Sequence, residues 1–143
     1  MTAMFVNLPV NDLERAKAFY TAIGFTINPL FTDHNAACVV EEDHSYFMIL
    51  VREYFQTFTD LPIGDPAVNP SVSTAVFLDT REAVDRTLAH GLAAGGREPH
   101  EATDYGFMYQ RQLNDPDGNI LEFGYMDAAA AGQGPEAFAN QQA

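Results

Sequence analysis

Asp115-Pro116-Asp117-Gly118-Asn119-Ile120-Leu121-Glu122-Phe123 joins a turn to a strand. Proline presets φ at one corner, glycine permits a positive φ at the next, and the aspartates and asparagine bond nearby backbone amides, so a tight turn is predicted over 115–119. From Ile120 onward the residues alternate, with Leu121, Phe123 and Tyr125 on one side and Ile120, Glu122 and Gly124 on the other. Glu122 is therefore a carboxylate in the middle of an apolar strand. Burying an ionised carboxylate alone is costly. Its position points to a wet cleft, a metal, a cation or a hydrogen-bonding ligand, with a solvated sheet face or a structural hydrogen bond as the plainer alternative.

The rest of the chain repeats this grammar. Met4, Val6, Leu8 and Val10 alternate with Phe5, Asn7 and Pro9; Asn11 and Asp12 can cap a helix in which Leu13, Ala16, Phe19, Tyr20 and Ile23 share one face until Gly24. Strands are predicted over 26–30, 36–41 and 46–51, separated by Asp33-His34-Asn35 and Asp43-His44-Ser45, and a short helix over 52–58 carries Tyr54, Phe55 and Phe58. A linker with Pro62, Pro66, Pro70 and a Gly-Asp pair follows. Then Thr74, Val76 and Leu78 alternate with Ser73, Ala75 and Phe77, Asp79-Thr80 offers a cap, and Ala83, Val84, Leu88 and Leu92 keep helical spacing up to Gly95-Gly96. Further strands are expected over 97–101, 107–113 and 120–125. The pattern is one β-α-β-β-β unit used twice. It divides a single domain, 1–127, into module one (3–58), a linker (59–71) and module two (72–127). The tail, 128–143, is rich in alanine, glutamine and glycine and reads as flexible, or as a weak helix after Pro135.

Composition narrows the function classes. The 143 residues, 47% hydrophobic and 19% charged, suffice for one packed domain or two small modules sharing a sheet. No apolar run is long enough to span a bilayer, and the first ten residues lack the basic start and apolar centre of a signal peptide, so a soluble cytoplasmic protein is expected. Twenty acidic residues against seven basic ones give a formal charge of −13, which repels phosphate backbones and anionic lipid; neither nucleic acid nor membrane is an expected partner. The same charge would draw in a cationic ligand, although acidity also serves solubility alone. Cys38, the single cysteine, reads as a small buried hydrophobe.

Two motifs, Leu8-Pro9-Val10-Asn11-Asp12-Leu13-Glu14-Arg15-Ala16-Lys17-Ala18-Phe19-Tyr20 and Asp115-Pro116-Asp117-Gly118-Asn119-Ile120-Leu121-Glu122, together with the duplicated unit between them, resemble the vicinal oxygen chelate superfamily. That group includes glyoxalase I, extradiol dioxygenases, fosfomycin-resistance transferases and bleomycin-resistance proteins. The resemblance covers 4–127. It implies an α+β fold of two βαβββ modules forming a half-open curled sheet around a cleft, commonly completed in a homodimer. In the metal enzymes of the superfamily a divalent ion is held by the first and last strands of each module. Matched by position, those places hold Phe5, Leu50, Ser73 and Glu122, and only Glu122 is a ligand type. Such ions need three or four imidazole or carboxylate groups, so neither a metal nor another cofactor is expected. Among the histidines, His34 and His44 fall in turns and His90 near a helix end; a substitute set of His100, Glu101 and Glu122 matches no known ligand spacing.

If the helix side of each first strand is apolar, Met4, Val6, Leu8, Thr74, Val76 and Leu78 belong to the core. The cleft side is then Phe5, Asn7, Met48, Leu50, Ser73, Ala75, Phe77, Met108, Gln110, Gln112, Ile120 and Glu122. This is an apolar lining with a few polar fingers and one acid, as in small-molecule sites. It suits a flat or irregular organic ligand, with Glu122 fixing a cation or a hydroxyl. Alternatively Phe5, Leu50 and Phe77 meet and fill the space. Arg111 falls on the opposite face with Tyr109, where pairing with a helix acid explains it. Two functions follow: a metal-free binder of a small, cationic or aromatic molecule, resembling bleomycin-resistance proteins, or a lyase, isomerase or dioxygenase with Glu122 as general base or part of an altered metal site. The acidic charge and apolar lining favour the binder.

Overall fold

The apolar alternation of the first ten residues becomes β1 (Met4–Val10), and Asp12 caps α1 (Leu13–Ala22) by accepting the Arg15 amide at 3.0 Å. The computed structural model describes residues 2–42, 44–134 and 136. Helical spacing turns Leu13, Ala16, Phe19 and Tyr20 inward, and Gly24, at φ 106°, ends the run. Next come β2 (Thr26–Asn28), β3 (Ala36–Glu42), β4 (Ser45–Val51) and a short α2 (Arg52–Phe55) continued by a 3-10 turn. Module two supplies β5 (Ser73–Phe77), α3 (Arg81–Ala93) capped by Thr80, β6 (Thr103–Asp104), β7 (Met108–Asn114) and β8 (Ile120–Met126), followed by α4 (Ala128–Gln133). The strands form two four-stranded sheets, ordered β1-β4-β3-β2 and β5-β8-β7-β6. In each, the first strand runs parallel to the last and the other neighbours are antiparallel. The fold is α+β with two open mixed sheets, as the duplicated pattern requires.

Several boundaries differ from the sequence reading for local reasons. The strand expected over 26–30 stops at Asn28 because Pro29 has no amide hydrogen and opens a 3-10 turn. The strand expected over 97–101 shrinks to a single bridge between Arg97 and Asn114; Pro99 cannot continue the ladder, and pairing resumes at Thr103. Met4, assigned to the core by alternation, is 69% exposed at the open end of the edge strand, and Leu92 is likewise exposed. Thr74 is half-buried. The tail read as flexible starts with α4, capped by Asp127 and anchored by buried Ala130; the helix expected after Pro135 lies outside the described residues.

Both modules share one core. Leu8, Val10, Phe19, Tyr20, Val39, Phe47 and Ile49 of module one join Val84, Leu88, Leu113, Leu121 and Phe123 of module two, and Phe25 meets Phe123 at 6.4 Å between ring centroids. The turn at 115–119 locks the two halves. Asp115 Oδ1 accepts the amides of Asp117 and Asn119, and Oδ2 accepts the Tyr20 hydroxyl and Asn119 Nδ2, each at 2.9 Å. Asp117 Oδ1 accepts the Asn11 amide at 2.8 Å and the Arg15 guanidinium at 2.9 Å, while Asn119 Nδ2 also donates to the Pro9 carbonyl. Local turn chemistry was legible; that buried Asp115 and Asp117 are partners of α1, and Asn119 of β1, was not.

Candidate functional site

Because the apolar side of each sheet is spent on the shared core, the other side of each sheet faces away from it. In module one the strand register sets Phe5 beside Tyr46, Asn7 beside Met48 and Cys38, and Pro9 beside Leu50 and Ala36. In module two it sets Arg97, Asn114, Ile120 and Ser73 in one row, Gln112, Glu122 and Ala75 in the next, and Gln110, Gly124 and Phe77 in a third. Phe5, Asn7, Met48, Leu50, Ser73, Ala75, Phe77, Met108, Gln110, Gln112 and Glu122 thus do lie on the core-distal faces, as alternation demands.

Their accessibility is unequal. Phe5 is 51% exposed and stacks on Tyr46, with centroids 4.6 Å apart and planes 15° from parallel. Phe77 is 45% exposed and lies against Gly124, where an added Cβ would come within 2.8 Å of its ring. The three residues expected to fill the space in the closed alternative do not do so, since two of them are open to solvent. Leu50, at 1% exposure, offers a ligand no surface in this chain and is corrected from lining residue to packing residue. Cys38 is buried, and burial pushes its thiol up. Glu122 is half-buried, and among the described residues it has no hydrogen bond or ion pair. A structural hydrogen bond therefore does not account for it.

The free edges of β1 and β5 flank a crevice of about 240 Å³ lined by Val6, Tyr46, Thr74, Ala75 and Phe77 among others. Only Ala75 and Phe77 of the expected lining reach it. Sequence reading missed this crevice because alternation assigns faces and says nothing of which strand ends a sheet. A second hollow, about 470 Å³, lies between linker residues Pro66, Ala67 and Pro70 and the row containing Arg97, Asn114 and Ile120. The linker was expected from the sequence, but not the arginine beneath it.

The register also tests the places where a divalent ion would sit. Phe5 lies opposite Tyr46 and Ser73 opposite Ile120, so superposing the modules on Phe5 and Ser73 puts Met48, two residues beyond Tyr46, where Glu122 stands two beyond Ile120. Leu50 is therefore not the counterpart of Glu122; Met48 is, and it is no better a ligand for a hard cation. Among the described residues no three His, Cys, Asp or Glu side chains come together in a way that could hold an ion. His100 bonds instead to Gln112, at 2.9 Å from Nε2 to Oε1, so His100, Glu101 and Glu122 do not converge. The residues present do not fit the superfamily's metal.

Charge on the opposite face is spent structurally. Arg111 pairs with Asp85 of α3 at 2.9 Å and with Glu98 at 2.8 Å, which is the helix-acid pairing expected from its face. These bonds raise the Arg111 guanidinium and hold both carboxyls below their usual range. Arg81 holds Asp104 down to about 2, helped by the Gly106 amide, and covers the Tyr109 ring at 5.0 Å. No helix among the described residues is long and apolar enough to cross a membrane.

Paired βαβββ modules with a parallel first–last strand pair define the glyoxalase/bleomycin resistance/dioxygenase fold. Residues 2–40 match the family model described as bleomycin resistance protein-like N-terminal. No curated protein matches the chain. Among solved structures, a glyoxalase-related enzyme from Fulvimarina pelagi is 20% identical at TM-score 0.74, covering 87% of each chain. The bleomycin resistance determinant encoded on transposon Tn5 is 21% identical at TM-score 0.61, over 88% of this chain and 98% of that one. TnmS3, an antibiotic binding protein from Streptomyces sp. CB03234, is 20% identical at TM-score 0.64, over 89% and 97%. The chain thus shares the fold of these proteins, and its residues 2–40 resemble the bleomycin resistance protein-like N-terminal family.

Proposed function

We propose that this protein binds a small, flat, positively charged organic molecule on the core-distal sheet faces, in a cleft completed by a second copy, without a divalent ion. The observation that carries the reading is Glu122: a half-buried carboxylate with no protein partner among the described residues, one row from exposed Phe77. A carboxylate left in that state needs a cation or a donor from outside the chain. Exposed Phe77 and the Phe5–Tyr46 stack offer ring faces to a planar ligand. The −13 charge favours encounter with cations. Two relatives of the same fold are named for bleomycin resistance and antibiotic binding. The unpaired edges of β1 and β5 give a second copy a place to add, because an open strand edge is a template for pairing. No strand-end ligand set of the superfamily enzymes stands in the site, and Glu122 is read as a binding group.

Calorimetric titration with bleomycin and with a panel of cationic aromatic compounds, alongside sedimentation analysis and elemental analysis of the purified protein, tests this. A cationic aromatic compound should bind a dimer. Glu122→Gln should weaken it about tenfold, or about 1.4 kcal/mol, and Phe77→Ala should weaken charged and neutral analogues alike. One stoichiometric Ni, Zn, Fe or Mn per chain, or an affinity untouched by Glu122→Gln, would overturn the reading.

A further inference from the structure

The hollow beneath the linker has a chemistry opposite to that of Glu122. We propose that it is a binding site for the carboxylate of a small molecule with a compact apolar body, held by Arg97 and Asn114. The bridge between Arg97 and Asn114 is made by two backbone hydrogen bonds, 3.0 and 2.7 Å, which put the two side chains next to each other on one face of the sheet. Both line the hollow of about 470 Å³, with Pro66, Pro70, Pro116 and Ile120 supplying apolar walls.

The donors are aimed by a chain of amides. Gln112 Oε1 can only accept, so His100 Nε2 donates to it at 2.9 Å; Gln112 Nε2 then donates to Asn114 Oδ1, also at 2.9 Å. Asn114 is left with its Nδ2 hydrogens unspent among the described residues. Arg97 is unspent as well. In a chain with 20 acidic and seven basic residues, Arg15, Lys17, Arg81 and Arg111 each hold a carboxylate and Arg52 holds a carbonyl; among the described residues Arg86 and Arg97 have no partner, and of these two Arg97 lines the hollow. Among the described residues, the one carboxylate lining the hollow, Asp115, already accepts four hydrogen bonds and does not compete for Arg97. A guanidinium fork beside an amide N–H pair matches the two oxygens of a carboxylate. The hollow borrows Gln112 from the row of Glu122, but its ligand contacts are Arg97 and Asn114, and the proposal does not rest on the cation reading.

Side-chain amide and arginine Nε resonances followed by NMR, in a buffer without organic acids, test it with acetate, benzoate and succinate against acetamide and benzamide. Saturable shifts at Arg97 Nε and Asn114 Nδ2 are expected with at least one acid in the millimolar range, since the net negative field opposes anions. The uncharged amides should shift them at least tenfold less. Arg97→Gln should abolish saturation, whereas Arg86→Gln, a cation on the surface of α3, should not. No saturable shift with any of the three acids, or equal responses to acid and amide, would overturn it, as would Arg86→Gln acting like Arg97→Gln.

Discussion

Asp115→Ala is expected to cost about 4 kcal/mol, the range for breaking a buried hydrogen-bonded charge network, and to lower the melting temperature by at least about 10 °C at this chain length. Four donors converge on that carboxylate: two turn amides, the Tyr20 hydroxyl and Asn119 Nδ2. Removing it leaves buried donors unpaired in both modules at once, because Tyr20 belongs to α1 and Asn119 also holds the Pro9 carbonyl. Tyr20→Phe removes a single bond and should cost less, about 1.5 kcal/mol. Asp115→Asn keeps the shape but turns an amide toward other donors, and should fall between the two. Thermal and urea denaturation of the three variants give the order directly; a loss below about 3 °C for Asp115→Ala would mean the turn does not join the modules.

The same carboxyl has a pH signature. Burial pushes Asp115 above the usual carboxylate range, the hydrogen bonds from Asn119 and Tyr20 resist, and nearby Asp117 adds to the rise. Burial, with Asp115 beside it, also pushes the Tyr20 phenol well up. An acid raised in the folded state holds its proton when the unfolded chain has released its own. Its contribution is therefore present below the ordinary aspartate range and declines as pH rises through its folded value. Asp104, Asp85 and Glu98 are lowered and act the other way, losing their contribution as pH falls. The stability advantage of wild type over Asp115→Asn should shrink as pH rises through that window.

What the sequence disclosed follows from which physics is local. The two-residue period of strands and the 3.6-residue period of α1 are written in single side chains, so the faces of Phe5, Asn7, Phe77 and Glu122 could be read before any contact was known. Arg111 was legible for the same reason: its face faced a helix. The registers between strands are not local. Alternation is blind to a shift of two, which is why Leu50 stood in for Met48 as the counterpart of Glu122, and why Leu50 was read as lining when packing buries it. Nor does alternation say that Asp117, next to a turn proline, would reach back to Asn11 and Arg15. Arg97 was hidden by a predicted strand that Pro99 cuts to one bridge.

Gly118→Ala should cost about 3 kcal/mol, as the sum of a left-handed backbone penalty and steric overlap. Gly118 and Gly95 have nearly the same φ, +92° and +96°, so alanine pays the same backbone cost, about 1 kcal/mol, at either place. Their surroundings differ. An added Cβ at Gly95 meets only Pro116 Cγ at 3.8 Å, an ordinary contact, whereas at Gly118 it comes within 2.7 Å of both the backbone nitrogen and Cα of Ala67. Ala67 cannot rotate away as a side chain would, since its amide is tied to Asp65 Oδ1 at 2.9 Å and the next turn closes on Asp65 as well. The linker must lift from the 115–119 turn as a unit. The excess of Gly118→Ala over Gly95→Ala, measured by denaturation, therefore reports how firmly residues 65–70 are docked, and limited proteolysis should cut that segment faster in Gly118→Ala alone. Equal losses for the two variants would show that the linker rests on the turn without being held there, and the hollow roofed by Pro66 and Pro70 would then lack a fixed wall.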